Sequence, residues 1–359
     1  SRLVAESLEV IVPREGVSAP KLGAFECYQR AKKLLHTRAL GQAEQGKELL
    51  EQALELDPDY APLLATMAHY HAPVRWWGTG DPNDLEKALG YSERAVAADP
   101  QLAEGHLWLG YARWRRGDID EAIESFRRVK ELDPKEFQGW YFIGCALAER
   151  GQWEDGLEEM RYALTLEPNV PYILLQIGYF LTEIGDYEAA IWTMEREIEM
   201  EQKKGAIDFF GGAVLLAEAL RRAGRLEEAR DLCMRGLERL EQSDSMGRAS
   251  MRLSYLNELG RIALDQNDYE ASQVAFKQVV AGIRAQPRGA SVGWGMVVAL
   301  AGLARAGAGE SSLEEAISIL SGSEYNFAFG MISGGNALME VALAARALGR
   351  EDEAKRYAE

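Results

Sequence analysis

A period of 34 residues constrains this chain more than any other feature. Leu109-Gly110, Ile143-Gly144 and Ile177-Gly178 recur at that interval. Gly117, Gly151 and Gly185 follow in step, as do Ala122, Gly156 and Ala190, and Pro134 and Pro168 close the first two units. Each position has a physical reason. Two helices, A and B, that cross closely need small residues at the contact: Gly110, Gly144 and Gly178 on A, Ala122, Gly156 and Ala190 on B. Trp140, Leu109, Phe126, Met160 and Met194 fill the space around it. Gly117, Gly151 and Gly185 stand where helix A must stop, in left-handed caps. Asp118 with Glu121 has the spacing of a capping box for helix B. Asp133-Pro134 and Glu167-Pro168 end helix B, because proline disfavours helical geometry in the residue before it.

The same frame extends outward with declining clarity. Cys27 to Tyr60 makes one repeat, and Ala61 to Pro100 another that carries an insert around Trp76-Trp77-Gly78-Thr79-Gly80-Asp81-Pro82. Downstream, Phe210 to Glu241 carries Gly224 and Ala229, and Leu253 to Gln286 carries Leu259-Gly260, Asn267 in the turn, and Phe276. Residues 292 to 322 and 335 to 359 read as degenerate units, for about nine helical pairs in all. The segment 322 to 336, with Tyr325, Phe327 and Phe329, does not fit the period. Three regions are therefore expected: 1–22 as an N-terminal helix or linker, 23–286 as the repeat array, and 287–359 as degenerate repeats.

A period of 34 with this order of residues resembles the tetratricopeptide repeat. That resemblance implies an all-α fold, a right-handed superhelical solenoid of antiparallel helix pairs. A narrower likeness rests on Gly23-Ala24-Phe25-Glu26-Cys27-Tyr28-Gln29-Arg30-Ala31-Lys32 and on Ala53 to Ala61. These stretches are similar to the opening of the repeat tail in multi-domain bacterial signalling proteins with a TolB-like segment. There the tail follows a nucleotide cyclase, a winged-helix domain or a serine/threonine kinase. On that likeness Ser1 to Val12 would be the last helix of a preceding domain.

Composition narrows the function classes. The formal charge is −17, and an acidic surface repels phosphate backbones, so nucleic acid is not an expected ligand of this segment. Cys27, Cys145 and Cys233 are scattered and form no CxxC pair, which reads as reduced thiols in a cytoplasmic protein. The longest apolar run, Trp294 to Ala304, falls short of the ~20 residues a membrane span needs. No cofactor is implied. Gly289-Ala290-Ser291-Val292-Gly293 matches the nucleophile-elbow pattern, but no histidine follows Ser291, and the motif needs one. His69 and His71 are two apart and point to different helix faces, whereas helical metal-ligand pairs stand three or four apart. His69 is expected to face the groove. Paired arginines such as Arg115-Arg116 and Arg221-Arg222 read as solvated faces.

The chain is accordingly read as a non-enzyme that holds other molecules. In tetratricopeptide arrays the A helices line a concave groove through the fifth, ninth and twelfth positions of each repeat. Carried onto this chain, those positions give Ala65, His69 and Ala72; Leu107, Tyr111 and Trp114; Tyr141, Cys145 and Ala148; and Leu175, Tyr179 and Thr182. Later repeats add Glu218, Arg221, Asn257 and Arg261. The expected groove is aromatic in the middle, with Tyr111 and Tyr179 exposed, and charged toward its C-terminal part, where Arg221 and Arg261 would orient an acidic ligand end. Trp76 and Trp77 of the insert are a second candidate element. Repeat domains that grip a carboxylate-terminated peptide carry Lys and Asn on the first clamp helix. The equivalents here, Leu107 with Tyr111 or Tyr141 with Cys145, are apolar, which argues against such a clamp. The expected partner is a protein or peptide, and a homodimer is left open. The alternative is that the array is the tail of a signalling enzyme or transcription regulator whose working domain lies upstream.

Overall fold

The computed structural model describes residues 21–36, 40–72, 83–203, 211–241, 248–285, 293–321 and 331–358. The chain divides into two compact units, Ser1–Pro168 and Asn169–Glu359. Among the described residues the first contains four helix pairs: α1 (Leu22–His36) with α2 (Leu40–Leu56), α3 (Ala61–His71) with α4 (Asp84–Ala98), α5 (Ala103–Arg116) with α6 (Ile119–Leu132), and α7 (Phe137–Glu149) with α8 (Trp153–Leu166). The described residues of the second form five: α9 (Pro171–Ile184) with α10 (Tyr187–Lys203), α11 (Gly211–Arg222) with α12 (Leu226–Glu241), α13 (Arg248–Asp265) with α14 (Tyr269–Arg284), α15 (Gly293–Leu303) with α16 (Glu310–Ser321), and α17 (Met331–Ala347) with α18 (Glu351–Ala358). No strand occurs among the described residues. The first member of each pair is the A helix, the second the B helix. Trp76, Trp77, the elbow-like Gly289–Val292 and residues 322–330 lie outside the described residues, as do 1–20.

The two helix types differ in how they are buried, and the sequence pattern explains why. In α6 the buried residues are Ala122, Ile123, Ser125, Phe126 and Val129, one stripe at helical spacing, as expected for a helix packed on one side. In α5 they run almost without interruption from Leu107 to Ala112 and include Trp114. An A helix packs against its own B helix and also against neighbouring A and B helices.

The A–B crossings are as tight as the glycine spacing requires. A methyl at Gly110 would stand 2.6 Å from the Phe126 ring, and one at Gly178 2.6 Å from Met194 Cγ. At Gly144 it would meet the Gly156 carbonyl oxygen at 2.8 Å, a backbone atom that cannot swing aside. In the second unit Phe276 is a shared wedge: methyls at Gly260 of α13 and Gly302 of α15 would approach its ring to 2.6 and 2.2 Å. The helix-A stops behave as expected. Gly117, Gly151 and Gly185 all have positive φ, and Asn267, which tolerates the left-handed region better than most residues, takes the same role at φ 61°.

Two local expectations are corrected. Asp118 makes no capping bond to α6; its carboxylate is drawn off by Arg116 Nε. Asp268 does cap α14, accepting from Ala271 N at 3.0 Å. Trp140 does not fill the A–B crossing. It is half-buried, donates Nε1–H to the Pro134 carbonyl at 3.2 Å, lies against Tyr162 and carries Lys130 Nζ 3.4 Å from its ring centroid. Residues 292–321 depart from the period because the turn is lengthened into a π-helical segment, Ala304–Ala308, with Gly307 left-handed at φ 86°.

Candidate functional site

The candidate surface is built from A helices, and each unit presents its own. In the first unit, positions 108, 111 and 114 of α5 are three apart and therefore neighbours on one helix side. Their rings interlock: Trp108 to Tyr111 at 5.9 Å and Tyr111 to Trp114 at 5.7 Å, both edge-on. Phe142 of α7 closes the set, 5.4 Å from Tyr111 and 5.9 Å from Trp114. On the α3 side, His69 stacks on Trp108 at 4.0 Å with an interplanar angle of 8°. Edge-to-face aromatic pairs add ~0.5–1.5 kcal/mol beyond their buried area, so this layer is rigid.

Burial within the layer overturns part of the sequence expectation. Tyr111 is 5% exposed and Trp114 7%, because the rings at i±3 and on the next A helix enclose them. Leu107 is buried as well. Burial pushes the Tyr111 phenol up to about 12, with Arg115 opposing and Cys145 reinforcing the shift. The face is completed by half-buried groups: His69, Tyr141 and Arg115. Tyr141 stands edge-on to Phe142 at 5.2 Å. Trp114 donates its indole N–H to Glu149 Oε2 at 2.9 Å. Burial raises the Glu149 pKa, against that hydrogen bond and the charge of Arg115. His71 turns away from this face. It is buried with its Nδ1 2.8 Å from Asp84 Oδ1, tying the end of α3 to the start of α4.

In the second unit, Tyr179 of α9 is also enclosed, at 4% exposure. Burial raises its pKa, helped by Glu183 and Glu218 and opposed by Arg222. Arg221 and Arg261 do not lie open for a ligand. Arg221 donates from Nε to Glu258 Oε1 at 2.7 Å and from Nη1 to Asp265 Oδ2 at 2.8 Å. Arg261 reaches Glu258 Oε2 at 3.1 Å, Glu340 Oε1 at 3.1 Å and Glu218 Oε1 at 3.4 Å. Arg305 holds the other oxygen of Glu340. Arg222, expected on a solvated face, bonds Glu183 at 2.7 Å. Burial alone would raise the Glu340 pKa, but Arg261 and Arg305 outweigh it and leave the carboxyl below its ordinary value. Glu218, with burial dominant and only partly offset by Arg261, goes up. Four cations and five acids are thus spent on one another. The signal was present in the sequence as a repeated Glu-x-x-Arg, Glu218 to Arg221 and Glu258 to Arg261, which puts opposite charges one helical turn apart.

The second unit also holds a cleft of about 470 Å³ between α12, α13 and α14, floored by Leu256, Leu259 and Ile262 and edged by Val274 and Arg230. No group of His, Cys, Asp and Glu side chains suited to a metal ion occurs among the described residues. No helix among them is long and apolar enough to cross a membrane.

Comparison with known proteins places this architecture. Tetratricopeptide repeat family models match residues 37–60 and 81–137. No curated protein matches the chain. Among solved structures, a chain of the APC/C hetero-tetramer Cut9–Hcn1 aligns over all of this chain and 59% of its own length, at 16% identity and a TM-score of 0.57. A tetratricopeptide repeat protein from Parabacteroides merdae ATCC 43184 aligns over 73% of this chain and 93% of its own, at 13% identity and TM-score 0.49. TTC0263, a thermophilic TPR protein in Thermus thermophilus, aligns over 55% and 98%, at 18% identity and TM-score 0.45. The chain therefore carries tetratricopeptide repeats matched in sequence at 37–60 and 81–137, within helix pairs of the same kind in both units.

Proposed function

We propose that the chain is a non-catalytic scaffold, and that the A-helix face of its first unit binds a peptide or protein segment. One observation carries this reading. That face has a buried layer of interlocked rings, Trp108, Tyr111, Trp114 and Phe142, under side chains that are only half-buried, His69, Tyr141 and Arg115. A preformed floor lowers the ordering cost of binding, and aromatic groups are enriched at interface hot spots. The corresponding arginines of the second unit are already satisfied by carboxylates, which supports giving that face a structural part. The likeness of residues 23–61 to the tails of bacterial signalling proteins supports the role of a sensory or docking arm, with any catalytic or DNA-binding work done by another domain. Free thiols at Cys145 and Cys233, both buried, suit a cytoplasmic setting.

The test is a titration of a protein partner recovered from the source cell against the parent and the His69→Ala/Tyr141→Ala double variant. Both residues are half-buried, so folding should survive. The reading expects binding weakened by more than ~2 kcal/mol, the scale of a hot spot. Unchanged affinity in a folded double variant would move the site elsewhere, with the cleft beside Val274 the next place to look.

A further inference from the structure

The gap between B helices α6 and α8 is bridged, and the matching gap between α12 and α14 is open. Across the first, Lys130 Nζ of α6 bonds Glu159 of α8 at 2.9 Å and lies over Trp140 of the intervening α7. The left-handed caps Gly117 with Gly224, and Gly151 with Asn267, set the register for comparison. In that register Lys130, Glu159 and Trp140 become Leu237 of α12, Ala275 of α14 and Leu256 of α13. No charge can bridge there and no large ring fills the space, and the cleft of about 470 Å³ lies at this place. The outer wall changes in the same direction. Asp155, Glu158 and Glu159 of α8 are matched by Ala271, Val274 and Ala275 of α14. Val274 is 53% exposed, and Met234, one turn beyond Arg230 on α12, is 47% exposed. The mouth is acidic. Asp268 and Glu270 line it, and Glu227 is tied to its edge by Gln266 Nε2 at 2.9 Å. Among the described residues Arg230 is the one cation lining it.

We infer that this trough on the B-helix side of the second unit docks a basic amphipathic helix of a partner protein. The partner's apolar stripe lies against Leu259 and Val274, and lysines or arginines beside the stripe meet Glu227, Asp268 and Glu270. The shape selects a helix. Two B helices with an A helix beneath them leave the hollow that a further helix fills, ridges into grooves. α14 borders it from Asp268 to Gln278, ~15 Å at helical rise or about three turns. That length takes apolar anchors at i, i+3 or i+4, and i+7. An extended strand finds no free backbone edge here, because the bordering helices satisfy their own peptide groups. The charge selects a basic helix over an acidic one. Three carboxylates face one guanidinium at the mouth, on a chain of net charge −17, and complementary charge fixes partner and register.

The experiment is calorimetric titration of the full chain with a leucine–lysine peptide of about four helical turns, its leucines on one stripe. Two twins run beside it, one with glutamate for lysine and one of the same composition without the stripe. The leucine–lysine peptide should bind tightest, and each twin ~10-fold more weakly or worse. Val274→Glu should weaken the leucine–lysine peptide ~10-fold or more, although the added charge attracts lysine. Leu237→Lys/Ala275→Glu, which rebuilds the α6–α8 bridge inside the trough, should do the same. Val274 is exposed, so its variant tests the inference even if the double variant fails to fold. Trp192→Glu, at an exposed ring on α10, should match the parent, as should His69→Ala/Tyr141→Ala. Failure of the leucine–lysine peptide to bind, or equal binding of the stripeless twin, would overturn the inference. So would an affinity indifferent to Val274→Glu, or an equal loss on Trp192→Glu. Loss of binding on His69→Ala/Tyr141→Ala would put the peptide on the first unit's A-helix face, and the trough would lose its part. If sedimentation finds the parent self-associated and Val274→Glu monomeric, a second copy fills the trough and the partner helix is excluded.

Discussion

Arg115 and Arg261 are the same residue type on A helices of the two units, and their surroundings are opposite. Arg261 is buried among Glu218, Glu258 and Glu340; Arg115 lies on aromatic rings with no acid paired to it. The second unit has thus paired Arg221, Arg222 and Arg261 with carboxylates, and the first has set Arg115 over a ring. The repeat fixes where a side chain sits along a helix, but the neighbours decide whether it holds the fold or meets a ligand.

The largest expected effect comes from breaking the committed side of this comparison. Arg261→Met takes Arg261 away from Glu218, Glu258 and Glu340, leaving Glu258 to Arg221 and Glu340 to Arg305, and loss of one partner of a buried network costs ~3–5 kcal/mol. A denaturant titration of the variant should show it, and a loss below ~1 kcal/mol would mean that the network contributes little net stability. Next come the crossings that both units share. Gly144→Ala and Gly260→Ala place a methyl 2.8 Å from the Gly156 carbonyl oxygen and 2.6 Å from the Phe276 ring. Overpacking of this kind costs ~1–3 kcal/mol, and thermal melts should find both variants destabilised. If only one falls, the two units do not share their packing rule.

A contrast in pH dependence lies within the second unit. Glu340's folded pKa is below the ordinary carboxylate value, because Arg261 and Arg305 outweigh burial. Its stabilisation is therefore full at neutral pH and lost as pH falls through the folded pKa. Glu197 of α10 is fully buried with neither oxygen hydrogen-bonded. Burial first, and Glu201 second, raise its pKa from 4.5 to about 8. The native state then holds a proton that the unfolded state has released, so stability falls as pH rises from about 4.5 to about 8. Glu197→Gln should raise the melting temperature at mildly alkaline pH and leave it unchanged in acid. A uniform change across pH would show that Glu197 does not titrate in this way. The smallest effect is the sharpest counterpart to Arg261: Arg115→Gln should change stability by no more than ~1 kcal/mol, because no ion pair is lost, only the contact with the Trp114 ring and the pull on Glu149.

Much of the fold was legible before any coordinates, and the reason is steric. Gly110, Gly144 and Gly178 recur because a helix crossing admits nothing larger, and such a rule leaves a mark at every repeat. Depth left no such mark. Matched positions put Tyr111 and Tyr179 at corresponding places on their A helices, yet whether a ring is open depends on its neighbours, Trp108, Trp114 and Phe142 in the case of Tyr111. The fate of Arg221 was nearer to hand, since Glu218 and Glu258 stand one turn before Arg221 and Arg261. Glu340, contributed from 79 residues beyond Arg261, could not be placed by any local pattern. Asp118 shows the limit of motif spacing: its capping geometry was available, and a competing arginine two residues away took the carboxylate.

The central claim is that binding belongs to the first unit's A-helix face and stability to the second's. Amide hydrogen exchange of the full chain, measured with and without a bound partner segment, addresses it most directly. Added protection is expected in α3, α5 and α7, with little change in α11 and α13. Protection concentrated in α11, α13 and α17, or on the B helices around Val274, with α3, α5 and α7 unchanged, would contradict it.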